Sequence, residues 1–189
     1  YFAVSTDDPA NHIVNPGDGY DGVVGLGITG LSPFPFGSGS LLSTGRHVIT
    51  AAHVVDAGGG IPWPVMDVQF TLPSGTVTMR SSQIFIHPGW NGDIFNADDL
   101  AIIVLPQEAP AAAERYGLYR ASNELYQVVD MVGYGIAGQG VEQFSDNLKR
   151  IENNVFEAYG DQLNGLSMID FSVGTGYFDQ VMNCITEGK

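Results

Sequence analysis

The 189-residue sequence predicts an all-β fold with two small barrels in one chain. Its apolar segments are short, rich in β-branched residues and separated by turn residues, whereas long segments with the 3.6-residue period of a helix are absent. The 25 glycines and 10 prolines supply the many turns that such a fold needs. A connector rich in proline and alanine, residues 106–118, divides the strands into two groups. We therefore expect one barrel on each side of the connector.

The predicted strands are bounded by Gly, Pro, Ser, Asn or Asp, which favour turns. In chain order, the first group comprises Val23–Ile28, Ser40–Thr44, His47–Thr50, Val65–Leu72, Thr76–Met79, Gln83–His87 and Leu100–Leu105. The second group comprises Val128–Gly133, Leu148–Ala158 and Leu166–Phe171. This order predicts an N-terminal extension over residues 1–12, a first barrel over 13–105, the connector over 106–118 and a second barrel over 119–189.

Composition and charge narrow the range of functions. Hydrophobic residues make up 44% of the chain and charged residues 15%, which is typical of a globular protein and not of a disordered one. The 21 acidic and 7 basic residues give a net charge of −14, which disfavours nucleic acid and anionic membranes as partners. No apolar run approaches the roughly 20 residues that span a bilayer. A chain that begins at Tyr1 without a leader is expected for a mature secreted protein, and equally for a trimmed chain.

The histidine whose context points to chemistry is His53. It follows Val48-Ile49-Thr50-Ala51-Ala52, a β-branched strand that leads into two small alanines. The small side chains allow a tight turn into one helical turn and leave room for an imidazole beside a cleft. Upstream, Gly37-Ser38-Gly39-Ser40-Leu41-Leu42 is a glycine turn that enters an apolar strand. We interpret the other three histidines, His12, His47 and His87, as surface or structural residues, which is the commonest role of a histidine.

These two blocks resemble the trypsin/chymotrypsin family of serine proteases, and the Thr-Ala-Ala-His block is the most specific part of the resemblance. The resemblance extends to His87-Pro88-Gly89-Trp90-Asn91, to the segment 96–105 and to Val132-Gly133-Tyr134-Gly135, which precedes a glycine-rich loop over Gly135–Gly140. It implies two six-stranded antiparallel β-barrels, the second incomplete in this chain. It also implies a secreted endopeptidase that acts on proteins or peptides and needs no cofactor.

The resemblance identifies Asp99 as the catalytic aspartate. In Asp98-Asp99-Leu100-Ala101, it is the second carboxylate that enters the buried strand, as in the family's pattern, whereas Asp98 is expected to face solvent or to cap the turn. A carboxylate at this place can accept the Nδ1 proton of His53, fix its tautomer and stabilise the imidazolium. Without a partner, its burial would be costly.

The nucleophilic serine is the missing member of this set. His53 precedes Asp99 by 46 residues, close to the roughly 45 of the Ser-His-Asp template, in which the serine follows about 93 residues later. That spacing places the serine about three residues past Lys189, and the chain contains no Gly-Asp-Ser-Gly-Gly block. Three explanations stay open. The protein is nicked, and a C-terminal piece is still bound noncovalently or through Cys184; or the chain is truncated; or it is a pseudo-enzyme that binds other proteins without catalysis. Ser172, between Phe171 and Val173, is a weaker candidate within the chain.

Three further features leave alternatives open. Ile13-Val14 is placed like the freed amino terminus of many family members, yet residues 1–12 precede it, so the chain is a zymogen form or orders its pocket another way. The base of the specificity pocket falls near Thr186 and Glu187, which does not decide which substrate residue is preferred. The Asp7-Asp8 pair and the turn 18–22 offer oxygen ligands for calcium, but turn formation explains them better because a full Asp-x-Asp-x-Asp-Gly loop is absent.

Overall fold

A computed structural model of the chain describes residues 8–31, 35–94, 98–121, 123, 125–135, 137–139 and 142–155. These residues form eleven strands, a 3-10 helix over Pro9–His12 and a single-turn α-helix, α1 (Ala52–Val55). The predicted all-β class is therefore confirmed. The predicted strand Leu166–Phe171, Ser172 and Cys184 lie outside the described residues.

Seven strands form the larger sheet. They are β1 (Val23–Ile28), β2 (Gly37–Leu41), β3 (His47–Thr50), β4 (Met66–Leu72), β5 (Gly75–Arg80), β6 (Gln83–Ile86) and β7 (Ala101–Val104). They pair in the order β5-β4-β1-β2-β3-β7-β6, and every pair is antiparallel. Each strand overlaps a segment predicted from the sequence, with shifts of a few residues at the ends.

The larger sheet curls until its two edges meet at Ser81 and Ser82. β5 and β6 are at opposite ends of the strand order, yet only these two serines separate them in the chain. The Ser81 N–H donates to the carbonyl of Met66 in β4, and the Ser82 N–H donates to the carbonyl of Val104 in β7, each at 2.8 Å. The seven segments thus occupy six positions around a barrel, because β5 and β6 are two halves of one bent strand. Curling in this way leaves no long free edge.

The interior of this barrel is an apolar core to which alternate residues of each strand contribute. β4 shows the pattern most clearly, since Met66, Val68, Phe70 and Leu72 are buried and the residues between them are partly exposed. Ala109 and Ala113 of the connector also pack into this core. The connector is fixed to the barrel by Tyr116, which exchanges backbone hydrogen bonds with Leu41 and Ser43.

The second group of strands comprises β8 (Val128–Gly133), β9 (Ala137–Gln139), β10 (Glu142–Phe144) and β11 (Arg150–Val155). β8 pairs with β11, and β9 pairs with β10. The prediction of a loop over Gly135–Gly140 is therefore wrong in part. Residues 137–139 form a strand because they find a hairpin partner in 142–144, and this pairing outweighs the preference of glycine for turns.

Ser38 and Tyr134 join the two groups of strands. The Ser38 hydroxyl donates to the carbonyl of Tyr134 at 2.8 Å and accepts from its N–H at 2.7 Å. The Tyr134 hydroxyl donates to Thr71 Oγ1 of β4 at 2.8 Å. Ser38 lies in β2, which pairs with β3, the strand that leads to His53, so the second group of strands is attached to a strand that supports the histidine.

Residues 8–12 of the predicted N-terminal extension lie against β11. Asp8 caps the 3-10 helix by accepting from the Ala10 N–H. The buried Arg150 donates to the carbonyl of Pro9 and forms a two-pronged ion pair with Asp146. Val14 donates its N–H to Lys149, the residue before Arg150. The chain around Ile13 is thus attached to the second group of strands through backbone and side-chain bonds.

Lys149 is a buried cation in the contact between the two groups. Only 5% of it is exposed, its ammonium donates to the carbonyl of Tyr20 at 2.6 Å, and it lies over the ring of Tyr134. Burial lowers the pKa of Lys149 to about 8, although Asp21 and Glu114 favour its charged form.

We expect the free energy of unfolding to rise as the pH increases from about 8 to about 10. In this range the unfolded chain keeps the Lys149 proton while the folded chain releases it, so raising the pH favours the folded state. Above about 10, the tyrosines reverse the trend, because the folded state holds the pKa of Tyr20 at about 12 and raises those of Tyr116 and Tyr134. Urea unfolding at a series of pH values measures the effect, and Lys149→Met should abolish the rise; a rise that persists in this variant would contradict the assignment.

Candidate active site

His53 lies in α1, the single helical turn that follows β3. Thr50, at the end of β3, donates its hydroxyl to the carbonyl of Ser38 at 2.8 Å, and Ala51 and Ala52 are completely buried. A Cβ on Gly37 would lie 2.6 Å from Val54 Cγ1, so β2 passes directly against the helix. The two alanines and Gly37 thus permit the close packing that holds α1 in place.

Asp99 lies just before β7, two positions along the sheet from β2. The Leu100 carbonyl accepts from the His87 N–H at 2.8 Å, and Ala101 then pairs with both Thr50 of β3 and Ile86 of β6. Because β3 leads to His53 and β7 begins after Asp99, the pairing of β3 with β7 brings the two side chains together. The register of one strand pair therefore joins residues that are 46 positions apart.

The carboxylate of Asp99 contacts His53 twice. Its Oδ1 accepts from the backbone N–H of His53 at 2.9 Å, and its Oδ2 lies 2.7 Å from the imidazole Nδ1. A carboxylate can only accept, so Nδ1 carries the proton and Nε2 is the basic nitrogen. Ala51 has no side-chain oxygen to cap α1, and Asp99 takes over that role by satisfying one of the first N–H groups of the helix.

The two side chains differ in their access to solvent. The side chain of His53 is 41% exposed, whereas that of Asp99 is 7% exposed. Solvent therefore reaches the imidazole, while the carboxylate behind it stays out of water. This arrangement can take a proton from a nucleophile at Nε2 and stabilise the resulting imidazolium through Asp99.

The structure separates Asp99 from its neighbour in the sequence. Asp98 contacts a different histidine, with its Oδ1 3.2 Å from His87 Nδ1, and both side chains are partly exposed. Of the remaining histidines, His12 contacts Glu152 and His47 contacts Thr44. Only His53, among the histidines in the described part of the chain, faces a buried carboxylate.

Asp56, three residues after His53, forms a contact with Trp90 that was not expected from the sequence. Trp90 Nε1 donates to Asp56 Oδ2 at 2.8 Å across a separation of 34 residues. The signal in the sequence was the tryptophan of the His-Pro-Gly-Trp block, which contributed to the resemblance without any role of its own. A second signal in the sequence was the position of Asp56 directly before the glycine-rich turn 57–60.

Of the carboxylates considered for calcium, Asp7 lies outside the described residues, and Asp8, Asp18 and Asp21 accept hydrogen bonds from backbone N–H groups of their own turns. Asp18 accepts from the Asn15 N–H, Asp21 accepts from the Gly17 N–H, and Asp8 caps the 3-10 helix. In the part of the chain that the structure describes, no three His, Cys, Asp or Glu side chains are grouped so that they could hold a metal ion. Across the same residues, no helix has the length and apolar character needed to cross a membrane.

Comparison with protein families agrees with this architecture. The model of the trypsin family matches residues 18–177, a range that includes β1 to β11, His53 and Asp99. A search of curated proteins finds no match to the chain. Because the family model covers most of the chain and the fold is built from antiparallel strands, the chain belongs to the trypsin family of serine peptidases.

Proposed function

We propose that this chain is the greater part of a secreted serine endopeptidase, in which His53 is the general base and acid, Asp99 orients it, and the nucleophilic serine lies beyond residue 189. The observation that carries the proposal is the double contact between Asp99 and His53, at 2.9 Å to the backbone N–H and 2.7 Å to Nδ1. Membership of the family supports peptide-bond hydrolysis and protein substrates. We propose no cofactor, since this chemistry needs none.

The proposed reaction uses His53 in two directions. Nε2 removes the proton of the serine hydroxyl as the oxygen attacks the carbonyl carbon of the peptide bond. The imidazolium then gives this proton to the departing amine, and the acyl-enzyme forms. A water molecule then attacks the acyl carbon while Nε2 takes its proton, and the imidazolium returns this proton to the serine oxygen as the bond to the acyl group breaks and the acid leaves. Throughout, the buried Asp99 keeps Nδ1 protonated and offsets the positive charge of the ring.

A C-terminal piece that completes the second barrel is part of the same proposal. Such a piece would carry the serine and the neighbouring N–H groups that stabilise the oxyanion. It would be continuous with the chain, or it would remain attached after a nick, noncovalently or through Cys184. Denaturing intact-mass spectrometry with and without a reductant distinguishes these forms: a noncovalently bound piece of a few kilodaltons separates in both conditions, a piece bound through Cys184 separates only after reduction, and a continuous chain yields no such piece.

The proposal is tested by incubating the full-length protein with fluorescein-labelled casein. We expect release of acid-soluble fluorescence, and we expect a serine-directed phosphonate to stop it. The alternative is a pseudo-protease that binds proteins without cutting them. Binding of casein with no cleavage, by a protein whose unfolding curve shows that it is folded, would favour this alternative and contradict the proposal. Localisation is tested separately, by assaying culture medium and cell lysate for the protein.

A further inference from the structure

Asp56 lies directly after the helix that carries His53. Its backbone N–H closes α1 by donating to the carbonyl of Ala52 at 2.9 Å. Its carboxylate accepts from the N–H of Gly58 at 2.8 Å and from that of Gly60 at 3.1 Å. The glycines at 58–60 all have positive φ, from 67° to 127°, which other residues adopt only with strain. One carboxylate therefore organises the whole turn that leaves α1.

Trp90 connects the same carboxylate to the segment that leads to Asp99. The Trp90 N–H donates to the carbonyl of His87 at 3.0 Å, and the His87 N–H donates to Leu100, the residue after Asp99. The Trp90 side chain reaches across to Asp56, with Nε1 2.8 Å from Oδ2. This hydrogen bond, with the amides of Gly58 and Gly60, lowers the pKa of Asp56 and keeps it ionised at neutral pH. A charged acceptor makes the bond stronger than one between neutral groups.

The helix α1 needs such support, because it has only four residues. A single turn has little stability of its own, since its first hydrogen bonds barely offset the ordering of its backbone. Asp99 holds the start of the helix at His53. The buried side chains of the turn hold it against the core, but the direction of the imidazole also depends on how the exit of the turn is attached. The bond between Asp56 and Trp90 supplies an attachment at the other end.

We propose that the hydrogen bond from Trp90 to Asp56 is a positioning clamp that fixes the direction of His53 relative to Asp99. The clamp joins the exit of α1 to Trp90, which follows β6, while Asp99, which precedes β7, joins the entry of α1. Because β6 and β7 pair with each other, His53 is held between two attachments to one pair of strands. Neither Trp90 nor Asp56 is a catalytic residue, since both act through His53. The kinetic part of the proposal rests on the proposed peptidase function.

Trp90→Phe in the full-length protein tests the clamp, because phenylalanine keeps an aromatic ring but removes the Nε1 donor. We expect kcat for a peptide substrate to fall about tenfold with KM unchanged, since an ångström of misplacement can cost a hundredfold. The matched control is Trp63→Phe. Trp63 follows the same turn and packs on the core, and its backbone N–H donates to the carbonyl of Val55, a bond that the substitution leaves in place, so kcat should stay within twofold of wild type.

Proton NMR gives a readout that does not depend on activity. The Nδ1 proton shared with Asp99 should give a low-field resonance in the wild type and in Trp63→Phe, and it should broaden or disappear in Trp90→Phe. A sharp resonance together with unchanged kcat in Trp90→Phe would overturn the clamp. If the wild type cuts no peptide, the peptidase proposal fails, whereas loss of the resonance in Trp90→Phe still supports the clamp.

Asp56→Asn is the second variant, used in case Trp90→Phe does not fold. An amide has a single accepting oxygen, so it cannot accept from Trp90 on one side and from the two glycine amides on the other. Loss of the resonance in this variant, with a thermal unfolding transition still present, supports the clamp. Retention of the resonance in the folded variant would contradict it.

Discussion

Replacing His53 with alanine should lower kcat of the full-length protein by about 10⁶-fold, with little change in KM. The reason is that the serine hydroxyl is a weak nucleophile until a base takes its proton, and Nε2 of His53 is the nitrogen oriented to do so. The measurement is hydrolysis of a fluorogenic peptide under saturating conditions. The fold should survive, because the side chain of His53 is partly exposed and does not fill the core.

His47→Ala is the matched control for this experiment. His47 begins β3, and its Nδ1 contacts Thr44 Oγ1 at 2.7 Å on the surface of the barrel. We expect this variant to keep its activity within a few-fold, because it loses an exposed contact and no reacting group. Equal, small losses in the two variants would show that His53 is not the base.

Replacing Asp99 with asparagine should lower kcat by about 10⁴-fold at neutral pH. The asparagine oxygen can still accept from the His53 N–H and cap α1, so the fold is expected to persist. Its amide group would then donate to Nδ1, which forces the ring proton onto Nε2 and leaves no basic nitrogen for the serine. The comparison of kcat with the midpoint of urea unfolding separates this effect from a loss of stability.

The adjacent carboxylate provides the control for Asp99. Asp98→Asn has the same chemistry one residue earlier, but it removes only a contact with His87 that is partly exposed. We expect its kcat to fall less than tenfold. A large loss in Asp98→Asn, with little effect of Asp99→Asn, would reverse the assignment of the two aspartates.

The meeting of His53 with Asp99 could be expected from the sequence because each lies beside a strand with a clear apolar pattern. The strand β3 is rich in β-branched residues and β7 is a continuous apolar run, although only alternate residues of β7 are buried, and their flanking blocks resembled a known family. The same sequence did not reveal that Asp99 also caps α1. That role depends on the position of a backbone N–H in three dimensions, and no pattern of residue types encodes it.

Other features were hidden because they depend on pairing partners far along the chain. The bend at Ser81 and Ser82 depends on hydrogen bonds from Ser81 to β4 and from Ser82 to β7, two strands that are far apart in the chain. Residues 137–139 looked like a loop because their glycine content was visible and their partner strand was not. The contact between Trp90 and Asp56 likewise requires two turns to meet, and turn residues carry no periodic signal.

The most direct test of the account is to label the full-length protein with a fluorophosphonate and to map the modified residue by mass spectrometry. The account predicts one labelled serine, in a Gly-Asp-Ser-Gly-Gly block downstream of residue 189, and loss of the label in His53→Ala. A label on Ser172, or a folded protein that takes no label, would contradict it.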